Sequence, residues 1–231
     1  MKQNETMLNM PENKYSLNEM EELLGEQHIG TSYDTPLRKD AFDISDEQKI
    51  KIISRNFKEI MNTLGLDLTD DSLKGTPGRV AKMFVKEIFN GLDPKNKPAI
   101  ALFDNKYKYD QMLIEKNITL FSNCEHHFVP IIGKAHIAYI SSGKVIGLSK
   151  LNRIVQYYSQ RPQVQERLTM QIANELKSVL ETDDVAVVID AVHLCVSSRG
   201  IKDVNSSTIT AEYGGKFKDE NTRSEFLSLL K

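Results

Sequence analysis

An α+β fold built on an antiparallel sheet is the class that this sequence predicts, and two observations carry the prediction. Apolar residues recur at helical spacing in blocks that stand before and between segments alternating with period two. Two of the alternating segments, 112–122 and 131–140, follow each other closely enough to be antiparallel neighbours.

The elements can be justified in order. The first forty or so residues are rich in Asn, Glu and Met, with one short helix expected where Ser16 and Glu19 form a capping box. Leu17, Met20, Leu23 and Leu24 give that helix one apolar stripe before Gly25, and 26–43 reads as linker, with Gly30, Thr31, Ser32 and Pro36. An N-terminal extension over 1–44 and a main domain over 45–231 are therefore expected.

A firmer helix opens at Ser45, with Gln48 three residues on, and Ile50, Ile53, Phe57, Ile60, Met61 and Leu64 recur at helical spacing up to Gly65. The next begins at Thr76-Pro77 and carries Val80, Met83, Phe84 and Ile88 to Gly91. Period two then takes over, with Ile114, Ile118 and Leu120 expected on one face. Helices are expected at about 149–158 and 163–180, the second with Leu168, Ile172, Leu176 and Val179 inward. Val185, Val187, Ile189, Ala191, His193 and Cys195 alternate as one face of a further strand, which would point His193 and Cys195 the same way. A last strand spans 208–213, and 226–230 closes with a helical turn.

Composition excludes several classes. With 231 residues, 40% hydrophobic and 27% charged, the chain has a soluble globular balance and enough length to bury a sizeable core. No apolar run approaches the roughly 18–20 residues of a membrane span, and the start lacks a signal-peptide core, so a cytoplasmic protein without membrane partners is expected. A net charge of −2 gives no general field for nucleic acid. In a reducing compartment the two cysteines read as buried thiols or metal ligands rather than a disulfide.

Both cysteines stand among histidines, in Cys124-Glu125-His126-His127 and His193-Leu194-Cys195. Cys124 and His127, three apart beyond a strand end, can meet one ion across a turn, and Cys195 would complete a thiolate and imidazole set that selects zinc. Three ligands leave a tetrahedral position open, and His126 and His193 are placed to give acid or base help there. Taken singly, each cysteine reads as a small core residue and each histidine as a hydrogen-bonded one. A closed structural site with His126 or His193 as fourth ligand is the other reading. His136 has no cysteine near it and is left as a structural histidine.

Lys150 and Arg153, in Ser149-Lys150-Leu151-Asn152-Arg153, share a face at a helix start beside free backbone N–H groups, which suits phosphate; a solvated basic face is the alternative. Arg79 and Arg199 matter only if the fold gathers them. In the polar run Ser159 to Thr169, Glu166 has a carboxylate that can accept two parallel hydrogen bonds from a guanine edge, although a first-turn glutamate is also favoured by the helix dipole.

At these residues the sequence resembles the GTP cyclohydrolase I family. The match takes in Cys124-Glu125-His126-His127, the run Ser159 to Thr169, His193-Leu194-Cys195 with Arg199, and Thr76 to Met83; it covers roughly Ser45 to the C-terminus, the family's catalytic domain. The resemblance implies a tunnelling fold, with helices on one side of antiparallel sheets that join into a barrel between subunits. It implies a homodecamer of two pentamers with active sites between subunits. The implied reaction turns GTP and water into 7,8-dihydroneopterin triphosphate and formate, the first step of folate and pterin synthesis. It implies Zn²⁺ on Cys124, His127 and Cys195, with His193 protonating N7 and His126 and Ser149 shuttling protons. Glu166 with Gln165 would hold the guanine edge, and Lys150, Arg153, Arg199 and Arg79 the triphosphate. The related nitrile reductases use a nucleophilic cysteine and NADPH, whereas both metal cysteines and the triphosphate cations stand here. The His-x-Glu and Cys-x-x-Cys pattern of zinc deaminases is absent.

Overall fold

Where a chain must first commit to a helix, capping chemistry decides, and Ser45 shows it. In the computed structural model, which describes residues 32–231, the Ser45 hydroxyl accepts from the Gln48 N–H at 3.3 Å and Gln48 Oε1 accepts from the Ser45 N–H at 2.8 Å. Helix α1 runs Asp46–Thr63 from that box. The helix expected at 16–25 lies outside the described residues. Helix α2, Thr76–Met83, follows and continues as a π-helical turn, Phe84–Ile88. Gly91 then docks this helical region: a Cβ there would lie 2.0 Å from the Tyr157 carbonyl oxygen. The Gly91 carbonyl also accepts from Arg161 Nε at 2.8 Å.

Strands β1 (Leu102–Asp104) and β4 (Lys144–Ile146) make a small antiparallel pair. The main sheet has the order β5-β2-β3-β6-β7, with β2 Met112–Cys124, β3 Pro130–Ile140, β5 Pro162–Gln163, β6 Val185–His193 and β7 Thr208–Tyr213. All its pairings are antiparallel except β2 with β5. Helices α3 (Leu148–Ser159) and α4 (Gln165–Leu180) lie on one face. Leu151, Ile154, Leu168, Ile172 and Leu176 pack there against Leu120, Ile137, Val187 and Ile189. Each such fully buried aliphatic contributes about 1.5–3 kcal/mol, so a charge at Ile172 would disrupt this layer.

Three expectations are corrected. A bulge between Glu115 and Ile118 shifts the β2–β3 register, so Ile114 leaves the face of Ile118 and Leu120. It packs instead with Ala138, Ile140, Ala186 and Val188 under Phe217 and Phe226. Asn117 sits in the bulge at φ 61°, and its N–H donates to His136 Nδ1 at 3.4 Å. Second, the terminal turn is a full helix, α6 (Glu220–Leu230), which covers part of the second sheet face. Helices are therefore not confined to one side. Third, Cys195 is not on the strand: β6 ends at His193, and Leu194–Ser197 form a helical turn, α5.

The stretch read as linker is anchored at its end, since Tyr33 onward belongs to the same compact unit as the sheet. Gln171 Nε2 donates to Asp34 Oδ1 at 2.8 Å, and Asn174 Nδ2 to the Tyr33 hydroxyl at 2.7 Å.

Candidate metal centre and nucleotide site

The β2–β3 connection makes the first half of the centre. The Phe128 N–H donates to the Cys124 carbonyl at 2.8 Å, closing one helical turn that places Cys124 and His127 on the same side. Phe128 ends the turn at φ 53°, and Asn123 Nδ2 donates to its carbonyl at 3.1 Å. The other half follows from register. Ser122 pairs with Ile131 and Ile131 with His193, so β6 ends level with the start of the Cys124 turn. The α5 turn then swings Cys195 back toward it. Ser198 N–H and Ser197 Oγ hold that turn through the Leu194 and His193 carbonyls at 2.9 and 3.4 Å.

As a result one ligand atom each from Cys124, His127 and Cys195 lies within 4.8 Å of the others. Around a tetrahedral zinc such atoms sit roughly 3.5–3.8 Å apart, so the set fits the ion after closing by about an ångström. Soft sulfur and imidazole nitrogen are the donors zinc prefers. Burial, then the charges of Arg199 and His126, holds the His127 imidazolium below its ordinary range, which keeps a nitrogen lone pair available. The Cys195 thiol is pushed up by burial and then by Cys124 beside it, a pair of thiols that a dication would deprotonate. His126 Nδ1 is 3.6 Å from Cys124 Sγ, against 4.0 Å for His127 Nδ1. Only His127 of the two joins the three-residue cluster with Cys195.

His193, at the strand end just before the turn that carries Cys195, has a built support. Its Nε2 is 2.7 Å from Gln165 Oε1. Gln165 Nε2 faces the Ile189 and Thr208 carbonyls and Thr210 Oγ1 at 3.2, 2.8 and 3.1 Å, so the amide can only be turned with its oxygen toward the imidazole. His193 Nε2 therefore carries the hydrogen, and Nδ1 is left for other chemistry. Burial lowers the His193 pKa, and the neighbouring Glu166 carboxylate pulls it back up. Gln165, expected at a guanine edge, is 1% exposed with its side chain committed inward. Glu166, one residue on, is exposed beside His193.

The expected phosphate residues divide. Arg199 lies near enough to bear on His127. Arg79 is engaged locally, donating to Thr76 Oγ1 at 2.8 Å and the Ser72 carbonyl at 3.2 Å. Ser149, Lys150 and Arg153 sit at the start of α3, where Asn152 Nδ2 donates to Glu115 Oε1 at 3.2 Å. Glu115 and Cys124 stand nine steps apart along β2, roughly 25–30 Å of strand. Within one chain the start of α3 therefore lies toward the other end of β2 from Cys124. Sequence reasoning missed the pairing of Glu125 with Arg167, although both lie inside the motifs it read. An apolar groove of about 570 Å³, lined by Phe42, Phe57, Phe84, Phe89 and Phe128 among others, contains none of the three clustered ligands.

An α+β chain with a two-Cys, one-His cluster at one end of an antiparallel sheet is the class that fold and site define. A family model described as GTP cyclohydrolase I matches residues 53–231. GTP cyclohydrolase 1 of Flavobacterium johnsoniae is 65% identical over 208 residues, 90% of this chain and 93% of that protein. GTP cyclohydrolase 1 of Citrobacter koseri is 52% identical over 217 residues, 94% and 98% respectively. The chain belongs to the GTP cyclohydrolase I family. Among solved structures, an archaeosine synthase QueF-Like in the apo form aligns at 16% identity and TM-score 0.40 over 47% of this chain and 97% of that one, too distant to weigh here.

Proposed function

We propose that the chain hydrolyses GTP at C8 of guanine, releases formate and rearranges the ribose to give 7,8-dihydroneopterin triphosphate. The observation that carries this reading is the Cys124, His127, Cys195 cluster, with His193 at the strand end two residues before Cys195 and under the influence of the Glu166 carboxylate. A guanine whose edge is held by Glu166 would put its imidazole ring toward the cluster, with N7 toward His193.

In this reading Cys124, His127 and Cys195 hold Zn²⁺, which when bound supplies Lewis acidity that makes water nucleophilic at neutral pH. The Glu166 carboxylate accepts from N1–H and the exocyclic amine, a pairing adenine cannot offer. His193, in its imidazolium form, gives the Nδ1 proton to N7 and keeps the Nε2 proton in its hydrogen bond to Gln165; protonation of N7 makes C8 electrophilic. Two waters open the ring and release C8 as formate, and ring closure on the rearranged ribose returns one, so one water is consumed. His126, with Ser149, moves protons during the ribose steps.

Lys150, Arg153 and Arg79 come from a neighbouring subunit in this reading, and join Arg199 on the triphosphate. The place of Lys150 and Arg153 toward the far end of β2 supports it, as do the open edges of the sheet. Among the described residues, β7 has a partner on one side only, and β5 covers the outer side of β2 only at Asn123 and Cys124. Ile52, Ile60 and Leu64 of the α1 region are exposed. A barrel of joined sheets in a decamer of two pentamers would cover both features. No helix among the described residues is long and apolar enough to cross a membrane; we place the enzyme in the cytoplasm, at the first step of tetrahydrofolate and pterin synthesis.

Incubation with GTP tests the reading: formate should appear together with a product that fluoresces as a pterin after oxidation. Consumption of NADPH without formate would overturn it.

A further inference from the structure

Next to the metal cluster lies a charged pair, a buried arginine with a half-buried glutamate, that the proposed reaction does not use. Arg167 is 1% exposed, and its Nη2 bonds Glu125 Oε2. Its Nε donates to Gln163 Oε1 at 3.2 Å, while Nη1 is buried with no hydrogen-bond partner. Gln163 is itself fixed, donating through Nε2 to the Tyr158 carbonyl and to Gln171 Oε1, both at 2.9 Å. The guanidinium is thus held on a rigid base and meets the carboxylate of Glu125 on its outer side.

Stability alone is a poor reason for this arrangement. Moving a guanidinium and a carboxylate out of water costs more than such a pair usually returns, and apolar side chains of similar volume often serve as well. A planar guanidinium against a carboxylate supplies defined geometry instead. The positions of the two residues say what that geometry fixes. Glu125 lies between Cys124 and His126, and its second oxygen, Oε1, faces His126 Nε2 at 3.9 Å. Arg167 immediately follows Glu166 on α4. The Glu125 N–H also donates to the Gln163 carbonyl at 3.0 Å, so the turn and the helix start are joined by backbone as well.

We propose that Glu125 and Arg167 form the positioning element that locks the turn bearing Cys124, His126 and His127 onto the helix that bears Glu166. The pair sets the separation between the metal ligands and the carboxylate assigned to guanine; the second half of this statement rests on the function proposed above. Neither residue is assigned a contact with substrate. They act through their neighbours, and the metal turn is the part that needs holding because it is the exposed one.

Three variants of the full-length protein test it: Arg167→Lys, which keeps the charge and loses the planar fork, Glu125→Gln, and the double variant Glu125→Gln/Arg167→Met, which removes both charges of the pair. For each, zinc affinity is measured by chelator competition, thermal midpoint by calorimetry, and kcat and KM with GTP. Arg167→Lys should lose about 10–100-fold in zinc affinity, the range for a group that orients a ligand, with kcat falling in parallel and KM within about threefold. Glu125→Gln should do the same while lowering the thermal midpoint. The double variant should regain the thermal midpoint without regaining zinc affinity or kcat, which separates positioning from stabilisation. Recovery of zinc affinity together with stability would overturn the proposal, as would parental zinc affinity in Arg167→Lys. If the parent protein fails to turn over GTP, the proposed function falls, and the zinc and melting measurements still decide the role of the pair.

Discussion

The two ends of β2 were both expected to serve one active site, and the structure treats them differently. At its C-terminal end a single chain gathers Cys124, His127 and Cys195, with His193 held by Gln165 and influenced by Glu166. Toward its N-terminal end, Lys150 and Arg153 share a helix start with Asn152, whose side chain donates to Glu115, and neither cation joins the metal cluster. Ligands to one ion must lie within a few ångströms, which a turn and a strand register can secure. Cations for a flexible triphosphate tolerate a longer reach, and an adjoining chain can supply them.

The comparison breaks first at the metal. Cys195→Ser should release zinc and lower kcat/KM by roughly three orders of magnitude or more, the scale of several kcal/mol of lost charge stabilisation; zinc count per subunit and formate release check it. His193→Ala should keep zinc and GTP binding while kcat falls about 10²–10⁴-fold, as when a general acid is removed. Zinc loss in that variant would make His193 a ligand and the site a closed one. At the other end, Arg153→Ala should leave zinc in place and reduce kcat/KM by about 10–100-fold, mostly through KM, from the roughly 1.5–3 kcal/mol of a charge-assisted hydrogen bond.

The smallest effect separates the site from its scaffold. Burial holds His136 below its ordinary pKa, and its Nδ1 accepts from the Asn117 N–H, so the folded state favours the neutral ring. A histidine with a lowered folded pKa contributes stability that is present above the unfolded value near 6.5 and is lost as pH falls through the folded value. His136→Gln should therefore flatten the acid limb of a denaturation profile below about pH 6.5, by at most about 1.4 kcal/mol per pH unit, without changing zinc content.

Much of the scaffold was legible because its signals are local. The Ser45 and Gln48 box, the stripe Leu168, Ile172 and Leu176, and the alternation from Val185 to Ala191 depend only on spacing within one element. The bulge at Glu115 to Ile118 was not, since an extra residue is defined only against the strand it faces, and counting by twos put Ile114 on the wrong face. Counting by twos also carried β6 through Cys195, where a helical turn ends the strand. In the site, the metal residues were legible because two rare residue types coincide twice. Gln165 was read by its neighbour Glu166, and only the three acceptors around its amide reveal that it serves His193. Arg167 and Glu125 lay in plain sight, but a polar run carries no mark of which members turn inward.

Mixing subunits tests most directly the claim that one chain supplies the metal and another the triphosphate cations. Homo-oligomers of Cys195→Ser and of Lys150→Ala/Arg153→Ala should each be nearly inactive. After dissociation and reassembly in equal amounts, about a quarter of sites should pair an intact metal end with intact cations, by random pairing of copies around a symmetric assembly, and formate release should rise accordingly. Activity no greater than the sum of the two separate variants would contradict the account.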